Sequence, residues 1–151
     1  MKLYQFLILF SVIIVVACNK DKFTTVPQVE LKSISPETVF NGDIIKLEGK
    51  YTDQEGDLDS VLIVYKWYNN TTVVRNDTFR YSFDGLGIPD KTRQADIDVT
   101  FEYNTNNYPD LVPLPGVSIK DTTATLGLIL KDKEANRSEF KESGKIRLKK
   151  P

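Results

Sequence analysis

Residues 95 to 103 read ADIDVTFEY. Ile97, Val99, Phe101 and Tyr103 alternate with Asp96, Asp98, Thr100 and Glu102, so an extended chain carries the apolar side chains on one face and the polar ones on the other. A helix would scatter the same four apolar residues around its circumference. The stretch predicts a β-strand with one buried face and one face in water.

The same period of two runs through much of the chain on either side. Val29 to Ile34, Ile44 to Tyr51, Val61 to Tyr68, Val73 to Phe83 with a break near Asn76, Thr122 to Lys131, and Phe140 to Leu148 all read as strands. Between them lie SPETVFNGD, DQEGDLDS, NNTT, DGLGIPDKTRQ, NTNNYPDLVPLPG and DKEANRS, rich in the residues that turns require. No amphipathic helix of three turns is visible. About seven short strands in one domain predict an all-β fold, a single immunoglobulin-like antiparallel β-sandwich over residues 29–151. Trp67 shares its phase with Val61, Ile63 and Tyr65 and is expected in the core between the sheets.

The chain opens MKLYQFLILFSVIIVVA, one lysine followed by an apolar run that ends at Ala17, which is the layout of a secretory signal peptide over residues 1–17. Cys18 follows at once and is the single cysteine, so no internal disulfide forms. The stretch Val15-Val16-Ala17-Cys18 resembles a bacterial lipobox, which implies that Cys18 becomes the lipid-modified first residue of the mature protein. Two or three acyl chains on one cysteine give stable membrane attachment where a single chain would be marginal. Lys20 and Asp21 resemble the export signal of surface lipoproteins in the Bacteroidetes, which implies the outer membrane and exposure at the surface. Residues 18–28, without apolar period and with Pro27, read as a tether.

The close LILKDKEANRSEF resembles the last loop of many bacterial Ig-like and cadherin-like domains, with Ala135 where glycine is usual. With the lipobox and NGDIIKLEGKYTDQEGDLDSV, the mature chain resembles the small Ig-like lipoproteins of the Bacteroidetes. These motifs are short and imply a fold more than an activity.

Composition narrows the chemistry. Hydrophobic residues at 40% and charged residues at 27% are those of a globular domain, and the net charge of -1 leaves no footprint for nucleic acid. The basic residues cluster only at Lys145, Arg147, Lys149 and Lys150. With no histidine and its only cysteine assigned to lipid, the chain lacks the parts for Ser-His-Asp or Cys-His catalysis and for the usual zinc sites. No enzyme is expected.

In DQEGDLDS, residues 53 to 60, Asp53, Glu55, Asp57 and Asp59 place a carboxylate at every second position around Gly56. An Ig-like strand order brings this loop to the same end as Asp132, Glu134 and Asn136, and toward Asp84 and Asp90. Oxygen ligands in that number suit Ca2+. The spacing is not that of an EF-hand, whose glycine stands sixth and whose bidentate glutamate stands twelfth. The other reading is a solvated turn in which Gly56 supplies a positive φ and an aspartate caps local amides.

Tyr108, Leu111, Val112 and Leu114 form an apolar run in a long Pro-rich loop, either as an exposed binding surface or as a cover for one end of the core. Asp59-Ser60-Val61 and Asp121-Thr122-Thr123 resemble the O-glycosylation acceptor of Bacteroidetes envelope proteins, or are polar strand starts. The expected role is a non-catalytic envelope module that binds a protein or glycan partner. The alternative is a carbohydrate-binding accessory lipoprotein of a glycan-uptake system, with Tyr68, Tyr81 and Tyr108 as its aromatic platform.

Overall fold

The computed structural model describes residues 24–83, 89 and 91–151. The signal segment, Cys18, Asp84 and Asp90 lie outside the described residues. Ten strands follow in chain order: β1 (Gln28–Ser35), β2 (Thr38–Val39), β3 (Ile44–Thr52), β4 (Leu58–Asn69), β5 (Thr72–Ser82), β6 (Gln94–Tyr103), β7 (Val112–Leu114), β8 (Thr122–Asp132), β9 (Lys141–Glu142) and β10 (Ile146–Leu148). They form two sheets. The first has the order β1-β3-β6-β7, and the second β2-β10-β8-β4-β5 with β9 also on β8.

The stretch 95–103 is β6, and its apolar face carries the core of the first sheet. Phe101 and Tyr103 are fully buried with Ile45 and Leu47 of β3. From the second sheet Ile63, Tyr65, Leu126, Leu128, Leu130, Ile146 and Leu148 meet them. Trp67 is half-buried against this cluster, edge-on to Tyr65 with ring centroids 5.9 Å apart, and Arg75 lies over its ring. The wet face of the first sheet is a charge lattice, in which Lys46 bridges Glu48 and Asp98 and Lys32 reaches Asp96.

Four expectations need correction. Among the described residues ten strands replace about seven, because β2, β7 and β9 are two or three residues long, too short for periodicity to register. The sandwich is not wholly antiparallel, since β2 runs parallel to β10 and β7 parallel to β6. The stretch 140–148 is not one strand. Ser143, Gly144 and Lys145 separate β9 from β10, and the Ser143 hydroxyl accepts from the Leu126 N–H. On the far side of β9 the Ser138 hydroxyl accepts from Leu130 N–H, so two serines extend a ladder that β9 is too short to complete. Instead of breaking near Asn76, the strand expected over Val73 to Phe83 is continuous as β5 from Thr72 to Ser82, with an irregular register opposite Trp67 and Tyr68.

The end of the expected tether is part of the sandwich. Pro27 is buried, Gln28 pairs with Thr52, and Gln54 N–H donates to Thr24 O at 3.1 Å. The chain therefore enters beside the acidic loop.

In the last loop Ala135 has φ +70°, a conformation that only glycine adopts freely. Ala135→Gly is expected to stabilise the fold by about 0.5–1 kcal/mol, the relief of strain exceeding the added freedom of the unfolded chain. Urea unfolding would show it, and an unchanged or lower midpoint would contradict it.

Candidate functional site

The acidic end brings the expected loops together, but through the backbone. Lys133 N–H donates to Asp57 O at 3.1 Å, Leu58 pairs with Asp132, and Asp53 N–H donates to Arg93 O at 2.8 Å. Gly56 has φ +67° and its Cα lies against the main chain of Lys91. The three loops converge there.

Among the described residues, their carboxylates do not. Asp53 is fully buried and turned into its own loop, where one oxygen accepts from Asp57 N–H at 3.0 Å. Burial raises its pKa, the Asp57 N–H opposes this, and the charges of Asp57 and Glu55 raise it further. Asp132 is buried and accepts from Asn136 N–H at 2.7 Å and from the Asn136 amide at 2.8 Å, closing the DKEAN turn on itself. Asp59 accepts from Ser60 and Arg80 and lies 3.7 Å from Lys131, and these partners hold its pKa below the ordinary value. Glu55 is exposed and Asp57 half-buried. Among the described residues no three His, Cys, Asp or Glu gather around a position that could hold a metal ion. Millimolar Ca2+ is expected to leave the melting temperature unchanged. A rise of several degrees, as native-state binding requires, would mean that these carboxylates regroup around the ion.

Ser60 is fully buried and its hydroxyl donates to Asp59, so the Asp59-Ser60-Val61 acceptor is closed to modification in the fold. Thr122 donates its hydroxyl to Tyr68 O at 2.7 Å.

The opposite end is built on a group that alternation misassigns. Glu102 falls on the wet face of β6, yet it is fully buried because residues 104–108 fold back over it. Its carboxylate accepts from the Thr105 hydroxyl, from Asn107 N–H at 2.8 Å and from Tyr108 N–H at 3.0 Å. Burial would raise its pKa, but these donors prevail and hold it below 4.5. The loop is fixed at a second point by Tyr103, whose phenol donates to Lys149 O and accepts from Val117 N–H.

The two readings of the Pro-rich loop both apply, to different residues. Tyr108 is 53% exposed, Leu111 and Val112 are half-buried, and Leu114 and Val117 belong to the core. Tyr108 is thus displayed by a buried carboxylate, with Leu111 N–H donating to Tyr108 O beneath it. The three candidate platform tyrosines are not together. Tyr81 pairs with Val61 at the acidic end, whereas Tyr68 projects from the other face of the second sheet near the end of β4.

A folded state that holds Glu102 ionised loses that stabilisation on acidification. With its native pKa below the unfolded one, the contribution is full above pH 4.5 and disappears as pH falls through the native value. Glu102→Gln is expected to be less stable than the parent at pH 7, with the gap closing as pH falls below the ordinary glutamate value and through the lowered native one. Urea midpoints across pH 2.5–7 (a window of about two units either side of the ordinary carboxylate range) test this, and a gap that widens in acid would reverse the sign.

Near Tyr68 lies an open groove of about 330 Å3, lined by Tyr68, Asn69 and Asn70 of the β4–β5 hairpin, by 120–123, and by Lys145 and Arg147. Asn70 has φ +57°, which suits asparagine in a two-residue hairpin turn. Lys145 Nζ lies 4.4 Å from the Tyr68 ring centroid and 3.4 Å from Asn70 O, while Lys120 Nζ donates to Asn69 Oδ1 at 3.2 Å. Arg147 and Lys149 share Asp121, whose pKa is lowered chiefly by the Lys149 hydrogen bond. The basic cluster of the C-terminal strand was visible in the sequence, but not the partners that make it a wall.

No protein-family model matches the chain, and the search of curated proteins gives no match. Among solved structures, the chain is similar to the alkylpurine DNA glycosylase AlkC of Pseudomonas fluorescens, with a TM-score of 0.47, 8% identity and 85% of this chain covered. The sporulation control protein Spo0M of Bacillus subtilis gives 0.42, 9% and 80%. This chain covers 31% and 49% of those two proteins. A Niemann-Pick type C2 protein from the Japanese carpenter ant gives 0.43 and 14%, over 87% of this chain and 98% of that one.

Proposed function

We propose that the protein is a lipid-anchored module of the cell envelope, held in the outer membrane through Cys18, whose Ig-like sandwich binds a partner without catalysis. The observation that carries this reading is polarity along the sandwich. Thr24 to Gln28 enter at the acidic end, whereas Tyr108, the hairpin tip at Asn69 and Asn70, and the groove lie at the other. A chain anchored ahead of Thr24 presents its acidic end to the membrane and its loops and groove away from it. The absence of histidine and the internal hydrogen bonding of Asp53, Glu102 and Asp132 support a binding role.

Metabolic labelling with a palmitate analogue tests the anchor. The parent should be labelled and sediment with membranes, and Cys18→Ser should be unlabelled and soluble. A Cys18→Ser protein that stays in the membrane fraction would sink the proposal. The second reading, a glycan-binding accessory lipoprotein, is favoured by the groove rather than by a tyrosine platform, because its lining is rich in hydrogen-bonding and cationic groups.

A further inference from the structure

We propose that the groove between the β4–β5 hairpin and β10 is a binding site for an acidic saccharide, one carrying carboxylate or sulfate groups. This rests on the glycan-binding reading above and names its ligand class.

The first argument is charge. Among the described residues Lys120, Lys145 and Arg147 line the groove against one carboxylate, that of Asp121, which Lys149 already shares. Among the described residues Lys120 and Lys145 meet only neutral acceptors, namely the Asn69 amide oxygen, the Asn70 carbonyl and the face of Tyr68. Two ammonium groups so placed each keep donors free for an anion.

The second is the kind of donor. Asn69, Asn70 and Thr123 add amides and a hydroxyl to the cations, the lining that a polyhydroxylated ligand needs. The volume, about 330 Å3, is at the small end of ligand clefts (~300–1,000 Å3), so the groove accommodates a short segment of a chain. The groove is open to solvent.

The third argument separates a saccharide from a nucleic acid. Single strands are held by stacking their bases on free aromatic faces. Among the described residues Tyr68 is the only aromatic residue of the lining; Lys145 lies over its ring and Glu142 accepts from its hydroxyl. The groove offers ammonium groups without a stacking platform.

The test is calorimetric titration of the full chain in neutral detergent with four probes of matched length: oligogalacturonate, a sulfated heparin oligosaccharide, maltodextrin and oligothymidylate. An acidic saccharide is expected to bind with an affinity that falls roughly tenfold or more between 50 and 200 mM salt, as charge pairing requires. The two acidic probes tell carboxylate from sulfate. Lys120→Ser/Lys145→Ser should weaken this binding roughly tenfold or more, the ratio that separates a lost charge contact from experimental scatter. Lys120→Arg/Lys145→Arg should retain most of it, and both variants should melt with the parent because the side chains are exposed. Equal binding of maltodextrin, equal binding of oligothymidylate, binding of neither acidic probe, or indifference to the double serine change would each overturn the proposal. Titration in detergent does not depend on membrane attachment, so its failure leaves the Cys18 labelling result standing.

Discussion

Phe101→Ala is expected to lower the unfolding free energy by about 3–5 kcal/mol. Phe101 is fully buried toward the C-terminal end of β6, opposite Ile45 on one side and Val112 on the other, within the core between the two sheets. Truncation removes the transfer energy of a ring and leaves a cavity that flanking strands, held by their ladders, cannot close. A domain of this size is stabilised by only about 5–15 kcal/mol, so the loss is a large share of the whole. Val99→Ala, on the same face but half-buried, should cost about 1 kcal/mol or less. Urea unfolding of the two variants decides it. A Phe101 variant no worse than the Val99 one would mean that β6 does not hold the sheets together.

The long strands were legible because each has one buried face, and a period of two survives wherever one side meets core and the other water. It failed where a segment covers that outer side. Glu102 reads as solvated until residues 104–108 fold over it, and nothing local in β6 announces a loop six residues on. Gly127 is a related case. It lies within β8, and a Cβ there would stand 2.3 Å from the Phe140 ring, so glycine at this position marks the close approach of the returning segment.

For the acidic loop, the expected strand order brought the loops to one end of the sandwich, where their backbones meet, but could not give the directions of their carboxylates. Period two along 53 to 59 applies to an extended chain, whereas Asp53 to Asp57 is a turn in which the buried carboxylate serves its own backbone. The groove was illegible for another reason. Its walls come from residues 68–70 and 120–123 and from Lys145 and Arg147, brought together by the pairing of β4 with β8 and of β8 with β10. Sequence showed the cations; the topology supplied their neighbours.

Gly56→Ala is expected to destabilise the fold by about 3 kcal/mol, from two separable costs. The first is conformational: at φ +67° an L-residue sits in the left-handed region, at about 1–2 kcal/mol. The second is steric, because the new Cβ would lie 2.5 Å from Lys91 C, 2.7 Å from its Cα and 2.8 Å from its O. Those are backbone atoms and cannot rotate aside, so the loop must move, at a further 1–3 kcal/mol in the usual range for overpacking. Two other glycines resolve the sum. Gly42 has φ +85° but its nearest obstacle is the Thr105 hydroxyl oxygen at 3.8 Å, so Gly42→Ala should show the conformational cost alone, about 1–2 kcal/mol. Gly144 has nothing within 4 Å and no positive φ, so Gly144→Ala should be neutral or stabilise by up to about 1 kcal/mol. The order Gly144, Gly42, Gly56 in rising cost is the measurement. If Gly56→Ala cost no more than Gly42→Ala, the contact with Lys91 would be absent in solution, and with it the convergence of the third loop on the acidic end.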